Sequence, residues 1–146
     1  MSNRMTQALE RARSVLSAFE SRSVTKTIWG SPAGKKRLAE RLVALLPEHK
    51  TYVEPFAGSA AVLFAKEPAD LEVISDADPD IAQAYRVIKR LGPDQFARLT
   101  KMQWTGDEGT FKRLLDVSPR DDVEWLHRFL YLTHFSYGKM RGRWVC

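Results

Sequence analysis

The sequence predicts an α/β fold, with a strand–loop–helix half followed by a mostly helical C-terminal part. Three observations carry this reading. Tyr52 and Val53 are β-prone and lead through Glu54 and Pro55 into the tight turn Ala57-Gly58-Ser59, after which Ala60 to Phe64 reads as a short apolar helix. A second β-prone run, Leu71 to Ser75, ends at Asp76. From Asp94 onward, apolar residues recur at helical spacing.

The chain has 146 residues, enough for one domain with a real core. Hydrophobic residues make up 44% and charged residues 28%, an ordinary balance for a globular protein. The net charge is +5 and the pI about 9.5. That balance suits an anionic partner, and it equally describes a solvated basic surface. The single cysteine, Cys146, cannot form an internal disulfide, so a reducing, cytoplasmic compartment is expected. Arg4, Arg11 and Arg13 interrupt the start of the chain, which lacks the apolar core of a signal peptide. No apolar run is long enough to span a membrane.

In chain order, Thr6 to Phe19 reads as an amphipathic packing helix with Leu9, Ala12, Leu16 and Phe19 on one face. Ser21 to Ser23 is a connection, and Val24 to Trp29 is a short extended segment. The stretch Gly30 to Lys36 has the look of a phosphate loop, but its glycines stand too close together. Lys36 also occupies the place of the magnesium-binding hydroxyl, so an NTPase is excluded. Lys35 to Leu46 is patterned as a helix with Leu38, Leu42, Leu45 and Leu46 on one face, stopped by Pro47. Asp78 is placed to cap a helix with Pro79 at its first position. That helix runs to Leu91 with Ile81, Tyr85 and Ile88 inward, and Gly92-Pro93 breaks it.

Three shorter apolar faces follow: Phe96, Leu99 and Met102; Phe111, Leu114 and Leu115; Val123, Leu126, Leu130 and Thr133. His127 and His134 fall on one helical face two turns apart, but no third ligand stands near them, so no metal is expected. The end of the chain alternates Lys139, Arg141 and Arg143 without an acid. An extended strand would place all three on one side, a row that suits a phosphate backbone. A basic, fraying terminus has the same composition.

The chemistry concentrates at the turn after the first strand. A strand, a glycine turn and a helix N-terminus present backbone N–H groups to a ligand. An acid at the tip of the next strand, about twenty residues further on, is where a nucleotide ribose is held. Taken alone, Pro55 to Ser59 is also an ordinary βα connection, since most such turns bind nothing.

The wording Glu54-Pro55-Phe56-Ala57-Gly58-Ser59 resembles the cofactor loop of the S-adenosylmethionine-dependent DNA methyltransferases, most closely the Dam-type adenine-specific family. Ala33-Gly34-Lys35 is similar to the Gly-Gly-Lys turn that these enzymes carry before the helix leading into the cofactor strand, with the first glycine replaced. Tyr137-Gly-Lys-Met-Arg141 resembles the segment with which they enter their DNA-contacting region.

The resemblance implies a Rossmann-like methyltransferase fold, present in part, with parallel strands and helices on both faces. It implies S-adenosyl-L-methionine as methyl donor and adenine N6 in double-stranded DNA as acceptor. On this reading residues 1–23 form an N-terminal helix or leader. Residues 24–92 form the cofactor-binding α/β part, and 93–146 form a helical region entering the DNA-contacting region. The loop Pro55-Phe56-Ala57-Gly58-Ser59 would hold the donor's carboxylate on the backbone N–H groups of its non-proline residues. Glu54 would face its ammonium and Asp76 would accept the ribose hydroxyls. Gly34 and Lys35 would close the pocket. Tyr137, Lys139, Arg141 and Arg143 would meet DNA.

The same family takes its flipped adenine in an Asp-Pro-Pro-Tyr motif. That string does not occur here; Asp78-Pro79-Asp80-Ile81 is the nearest and lacks the second proline and the aromatic. The expectation is therefore the amino-terminal portion of such an enzyme, inactive by itself, with a second polypeptide as partner. A non-catalytic S-adenosylmethionine- or DNA-binding module is the alternative. A nicotinamide-dependent oxidoreductase would share the strand, loop and acid, but Gly-x-Gly-x-x-Gly is absent.

Overall fold

The computed structural model of the protein describes residues 27–32 and 34–144. The helix expected over Thr6–Phe19, the connection after it, Ala33 and Cys146 lie outside the described residues. Of the extended segment expected up to Trp29, the described part is irregular and bent rather than a strand.

The long helix expected over Lys35–Leu46 is two short pieces. Lys35–Arg37 forms a 3-10 turn, and α1 covers Ala39–Val43. The reason is local. Neither Gly34 nor Leu38 supplies a side-chain cap, and three cations crowd the end where the helix dipole is positive. The expected apolar face is also largely bare: Leu38 and Leu45 are exposed, and Ala39 is the buried residue of α1.

Strand β1, Thr51–Glu54, buries Tyr52 and Glu54 and exposes Thr51 and Val53. Helix α2 follows at Ala61–Ala65, one residue later than expected, because Ala60 adopts a left-handed conformation. Strand β2, Leu71–Ile74, then pairs with β1 in parallel, Thr51 opposite Leu71 and Glu54 opposite Ile74. A parallel pair needs a crossover, and α2 supplies it. Among the described residues the sheet has two strands. On one of its faces Val53, Leu71 and Val73 are 56%, 55% and 43% exposed. Parallel strands are usually covered on both faces, so this face is bare apolar surface.

The helical remainder starts each long helix on an aspartate. Asp78 accepts from the Asp80 N–H at the start of α3, Pro79–Arg90. Asp107 accepts from Gly109 and Thr110 at the start of α5, Glu108–Asp116. Asp121 accepts from Val123 and Glu124 at the start of α6, Asp122–Phe135. Between them α4, Pro93–Thr100, begins at Gly92-Pro93, the expected break. The inward face of α3 is centred on Ala84 and Val87, both fully buried, while Ile81, Tyr85 and Ile88 flank it half-buried. In α4, Leu99 is buried but Phe96 is exposed.

Helix α6 is the hub, packing on α3, α4 and α5. One cluster joins Trp29, Val87, Leu99, Val123, Leu126 and Phe129; the other joins Phe111, Leu114, Tyr131 and Leu132. Arg128 on α6 caps α5 from outside, its Nε donating to the Leu114 carbonyl at 2.5 Å and a terminal nitrogen to that of Leu115 at 3.0 Å. Arg90 grips Asp122 with two hydrogen bonds of 2.7 and 2.8 Å. Arg98 reaches Asp121 at 2.7 Å. These surface pairs set orientation more than stability.

The C-terminal segment is not the extended strand expected. Tyr137–Lys139 is a 3-10 turn, and φ is positive at Gly138, Lys139 and Arg141. The chain doubles back because Trp144 packs against Phe111 and Phe135, with ring centroids 5.4 and 5.9 Å apart. A single antiparallel bridge joins Ser136 to Trp144.

Tyr131 shows how α6 organises its surroundings. It is fully buried. Its hydroxyl accepts from the Asp107 N–H at 3.0 Å and donates to the Thr105 carbonyl at 3.0 Å. Tyr131→Phe should strand both backbone groups and destabilise the fold by about 1–3 kcal/mol. Urea denaturation of the two proteins checks this; equal midpoints would show that water replaces the hydroxyl at no cost.

Candidate functional site

Because β1 and β2 run in parallel, their carboxyl ends lie at one edge of the sheet. That edge is where open α/β sheets take ligands. It carries Glu54, the Pro55–Ser59 loop and Asp76 together.

Glu54 ends β1 on its buried side and is 3% exposed. Its Oε2 accepts from the Tyr52 hydroxyl and from the Leu63 N–H, each at 3.1 Å. Its Oε1 lies 2.7 Å from Lys35 Nζ, while that ammonium donates to the Phe56 carbonyl at 2.6 Å. Oε1 is paired with the Lys35 ammonium and accepts from no other group, which leaves it a lone pair for a further donor. The Tyr52 hydroxyl is pushed well above its ordinary pKa by burial and by the Glu54 charge.

The loop is held from the second strand. The Ala57 N–H donates to the Ser75 carbonyl at 3.0 Å, and the Gly58 N–H donates to Asp76 Oδ2 at 2.7 Å. Asp76 Oδ1 accepts from the Asp78 N–H at 2.9 Å. Gly58 has φ of +52°, and a Cβ there would sit 3.1 Å from Ser31 Oγ. Glycine is needed at this position for its backbone and for the close approach of Ser31. Ser59 is buried, and Phe56 stands 76% exposed at the tip of the loop. The Pro55 carbonyl accepts from Ser75 Oγ at 3.3 Å, and the Gly34 N–H closes a turn on the Ser31 carbonyl at 3.0 Å.

Two residues that sequence reasoning did not assign to the site complete it. The Tyr85 hydroxyl donates to the Gly58 carbonyl at 3.1 Å. Burial, then the charges of Glu54 and Asp76, push its pKa well above the ordinary value, so it stays a donor. Trp29 lies against Tyr85 at 4.6 Å and edge-on to Phe129 at 5.2 Å, linking the loop to α3 and α6. The available signal was a tyrosine, rather than a phenylalanine, at an inward helical position, since a buried hydroxyl needs a partner. Trp29 had no such signal.

An apolar groove of about 630 Å³ opens beside Asp76, lined by Leu63, Phe64, Ile74, Ile81 and Tyr85 among others. That volume lies within the range of small-molecule sites. A second cavity of about 520 Å³, bounded by Met102, Leu114, Pro119 and Arg128, contains none of the expected site residues.

The structure does not gather the C-terminal cations into one row. Lys139 Nζ donates to the His134 carbonyl at 2.6 Å, and Arg143 is exposed. Arg141 turns inward onto Asp78, with Asp80 3.7 Å away. Tyr137 is 68% exposed. The two histidines are likewise apart in environment. His127 is buried, with Nε2 2.7 Å from the Gln103 carbonyl, and His134 is exposed.

The arrangement can therefore hold cationic and hydroxyl groups of a ligand at the sheet edge, with apolar surface alongside. A family model described as D12 class N6 adenine-specific DNA methyltransferase matches residues 32–141. The match takes in both strands, the loop, Asp76 and the segment through Arg141. A search of curated proteins returned no match.

The Lys35–Glu54 pair gives a test of the site's electrostatics. Lys35→Met should leave a buried carboxylate uncompensated and cost about 1–3 kcal/mol, less than a fully buried pair because the Lys35 side chain is 31% exposed. Adding Glu54→Gln should recover part of that loss. Denaturant titrations of the single and double variants check it; additive losses would mean that the two charges do not interact.

Proposed function

The chain belongs to the family of D12 class N6 adenine-specific DNA methyltransferases, and we propose that it holds S-adenosylmethionine at the carboxyl edge of its sheet for transfer to adenine N6 in duplex DNA. The observation that carries this reading is the carboxylate pair at one sheet edge, with Glu54 ending β1, Asp76 following β2, and the Gly58 loop tied between them. We read the β1–α2–β2 unit as the start of a Rossmann-like methyltransferase sheet.

The residues present fit such a donor. Oε1 of Glu54 is buried beside the Lys35 ammonium, and its remaining lone pair is a suitable acceptor for a ligand's ammonium. Asp76 uses one lone pair of each oxygen on backbone N–H groups, and each oxygen has another for a ribose hydroxyl. The neighbouring groove offers apolar surface for a base. Pro55, Phe56, Ala57 and Ser59 frame the loop, and Lys35, which follows the Gly34 turn, closes it against Glu54. When bound, the donor supplies an electrophilic methyl group on a sulfonium. Tyr85 fixes the Gly58 carbonyl and thereby the position of the loop. On the acceptor side, exposed Tyr137 and Arg143, with Lys139 beside them, form the surface proposed to meet DNA, while Arg141, expected there from sequence, is turned inward onto Asp78.

The sequence contains no Asp-Pro-Pro-Tyr string to take a flipped adenine. We therefore propose that these residues alone do not transfer the methyl group, and that a second polypeptide bearing the motif completes the enzyme. The bare face of Val53, Leu71 and Val73 supports an additional covering element. A module that binds S-adenosylmethionine or DNA without catalysis is the second reading, favoured by the same missing string.

Calorimetric titration with S-adenosylhomocysteine tests the donor site. Asp76→Ala should weaken binding by about 1–3 kcal/mol, because ribose hydroxyls lose a charged acceptor and Gly58 loses its anchor. Equal affinity of wild type and variant would remove Asp76 from the site.

A further inference from the structure

Arg141 does not stand in solvent with the other C-terminal cations. Its guanidinium is ion-paired with Asp78, lies 3.7 Å from Asp80, and sits over the Phe129 ring at 5.0 Å. Its side chain is 21% exposed. Its backbone is fixed as well, with φ of +61° and an N–H donating to Ser136 Oγ at 2.9 Å. A left-handed arginine is uncommon and persists only where its surroundings hold it.

The partner matters more than the pairing. Asp78 Oδ1 caps α3, its Oδ2 takes Arg141, and its N–H donates to Asp76 Oδ1 at 2.9 Å. Asp76 Oδ2 in turn takes the Gly58 N–H at 2.7 Å. An unbroken series of polar contacts therefore runs from Arg141 through Asp78 and Asp76 to Gly58. It spans 63 residues of sequence at its first step. Burial acts against the Asp78 carboxylate, but the Arg141 hydrogen bond, the backbone N–H groups and the Arg141 charge outweigh it and hold the group below its ordinary range.

We propose that Arg141 is a positioning residue for the acid turn Asp76–Asp80, holding Asp78 so that Asp76 and the Gly58 loop keep the ligand-binding geometry. The proposal rests on the reading of Asp76 as a donor-holding residue. It gives Arg141 a role that the row of cations in sequence does not suggest. Its charge serves the cofactor edge, and the segment proposed to meet DNA is thereby tied to that edge. Any rearrangement of residues 136–144 that withdraws Arg141 loosens Asp76 as well, which is the physical requirement for coupling between two sites.

The test is amide hydrogen exchange on the full 146-residue chain without ligand, followed by titration with S-adenosylhomocysteine. Arg141→Gln removes the charge. Asp78→Asn removes the partner charge while keeping a good helix cap. Each variant should speed exchange at the Gly58 amide by about two- to fivefold, the range of one partly exposed ion pair, and leave the α5 and α6 core amides of Phe111 and Leu132 unchanged. The double variant should add nothing to either single one, since the two changes break one contact. Affinity for S-adenosylhomocysteine should fall by the same factor in all three. Unchanged exchange at Gly58 in Arg141→Gln, or an equal rise at every amide, would overturn the proposal. A wild type that binds no S-adenosylhomocysteine, with the local exchange pattern intact, would leave the positioning role standing and refute the donor-site reading instead.

Discussion

One carboxylate fixes the relation between the two strand ends. Asp76 takes the Gly58 N–H on one oxygen and the Asp78 N–H on the other. The first contact binds the loop after β1 to the turn after β2. The second sets the start of α3. Without it, the left-handed Gly58 would lose its side-chain anchor, and the loop would rest on the Ala57–Ser75 and Tyr85–Gly58 hydrogen bonds. Charge-assisted hydrogen bonds to backbone N–H groups are among the stronger polar contacts available, and here both belong to the same side chain.

The helices serve that edge from behind. Helix α6 is apolar on most sides and buried among α3, α4 and α5. Through Phe129 it supports Trp29, and through Trp29 it supports Tyr85, whose hydroxyl reaches the loop. Glu54 is placed by different means, with a tyrosine and a backbone amide on one oxygen and a lysine charge near the other. A buried carboxylate held by a lysine from a short turn is costly to maintain as a purely structural element. Its place at the carboxyl edge of the sheet fits the proposed role toward a ligand's ammonium.

The strands, the glycine turn, the Asp78 cap and the Gly92-Pro93 break were legible in sequence because each depends on local chemistry. β-branched and aromatic residues mark strands, and aspartate or proline marks helix starts. The membership of the family was legible for a related reason, since the local wording Glu54 to Ser59, with Asp76 at the next strand end, resembles that of the family. What failed was in part local, a missing helix cap, and in part non-local. The leucine face of Lys35–Leu46 has helical period, but nothing among the described residues covers Leu38 or Leu45, and no cap starts the helix. The alternation of Lys139, Arg141 and Arg143 reads as a strand. Trp144 packing on Phe111 and Phe135 folds it into a turn and sends Arg141 to Asp78. Tyr85 and Trp29 were missed as site residues because their partners lie far away in sequence.

We propose that these residues hold a methyl donor, while the sequence lacks the Asp-Pro-Pro-Tyr string that would take the adenine. Transfer of tritiated methyl from S-adenosylmethionine to unmethylated duplex DNA measures it directly. The purified 146-residue chain is assayed alone and with a second polypeptide carrying Asp-Pro-Pro-Tyr and further strands. Positioning of the reacting groups is worth about 7–11 kcal/mol of barrier, so the account predicts no detectable transfer by the chain alone and transfer once the two assemble. Robust transfer by the chain alone would contradict it, and would mean that another set of its residues handles the adenine.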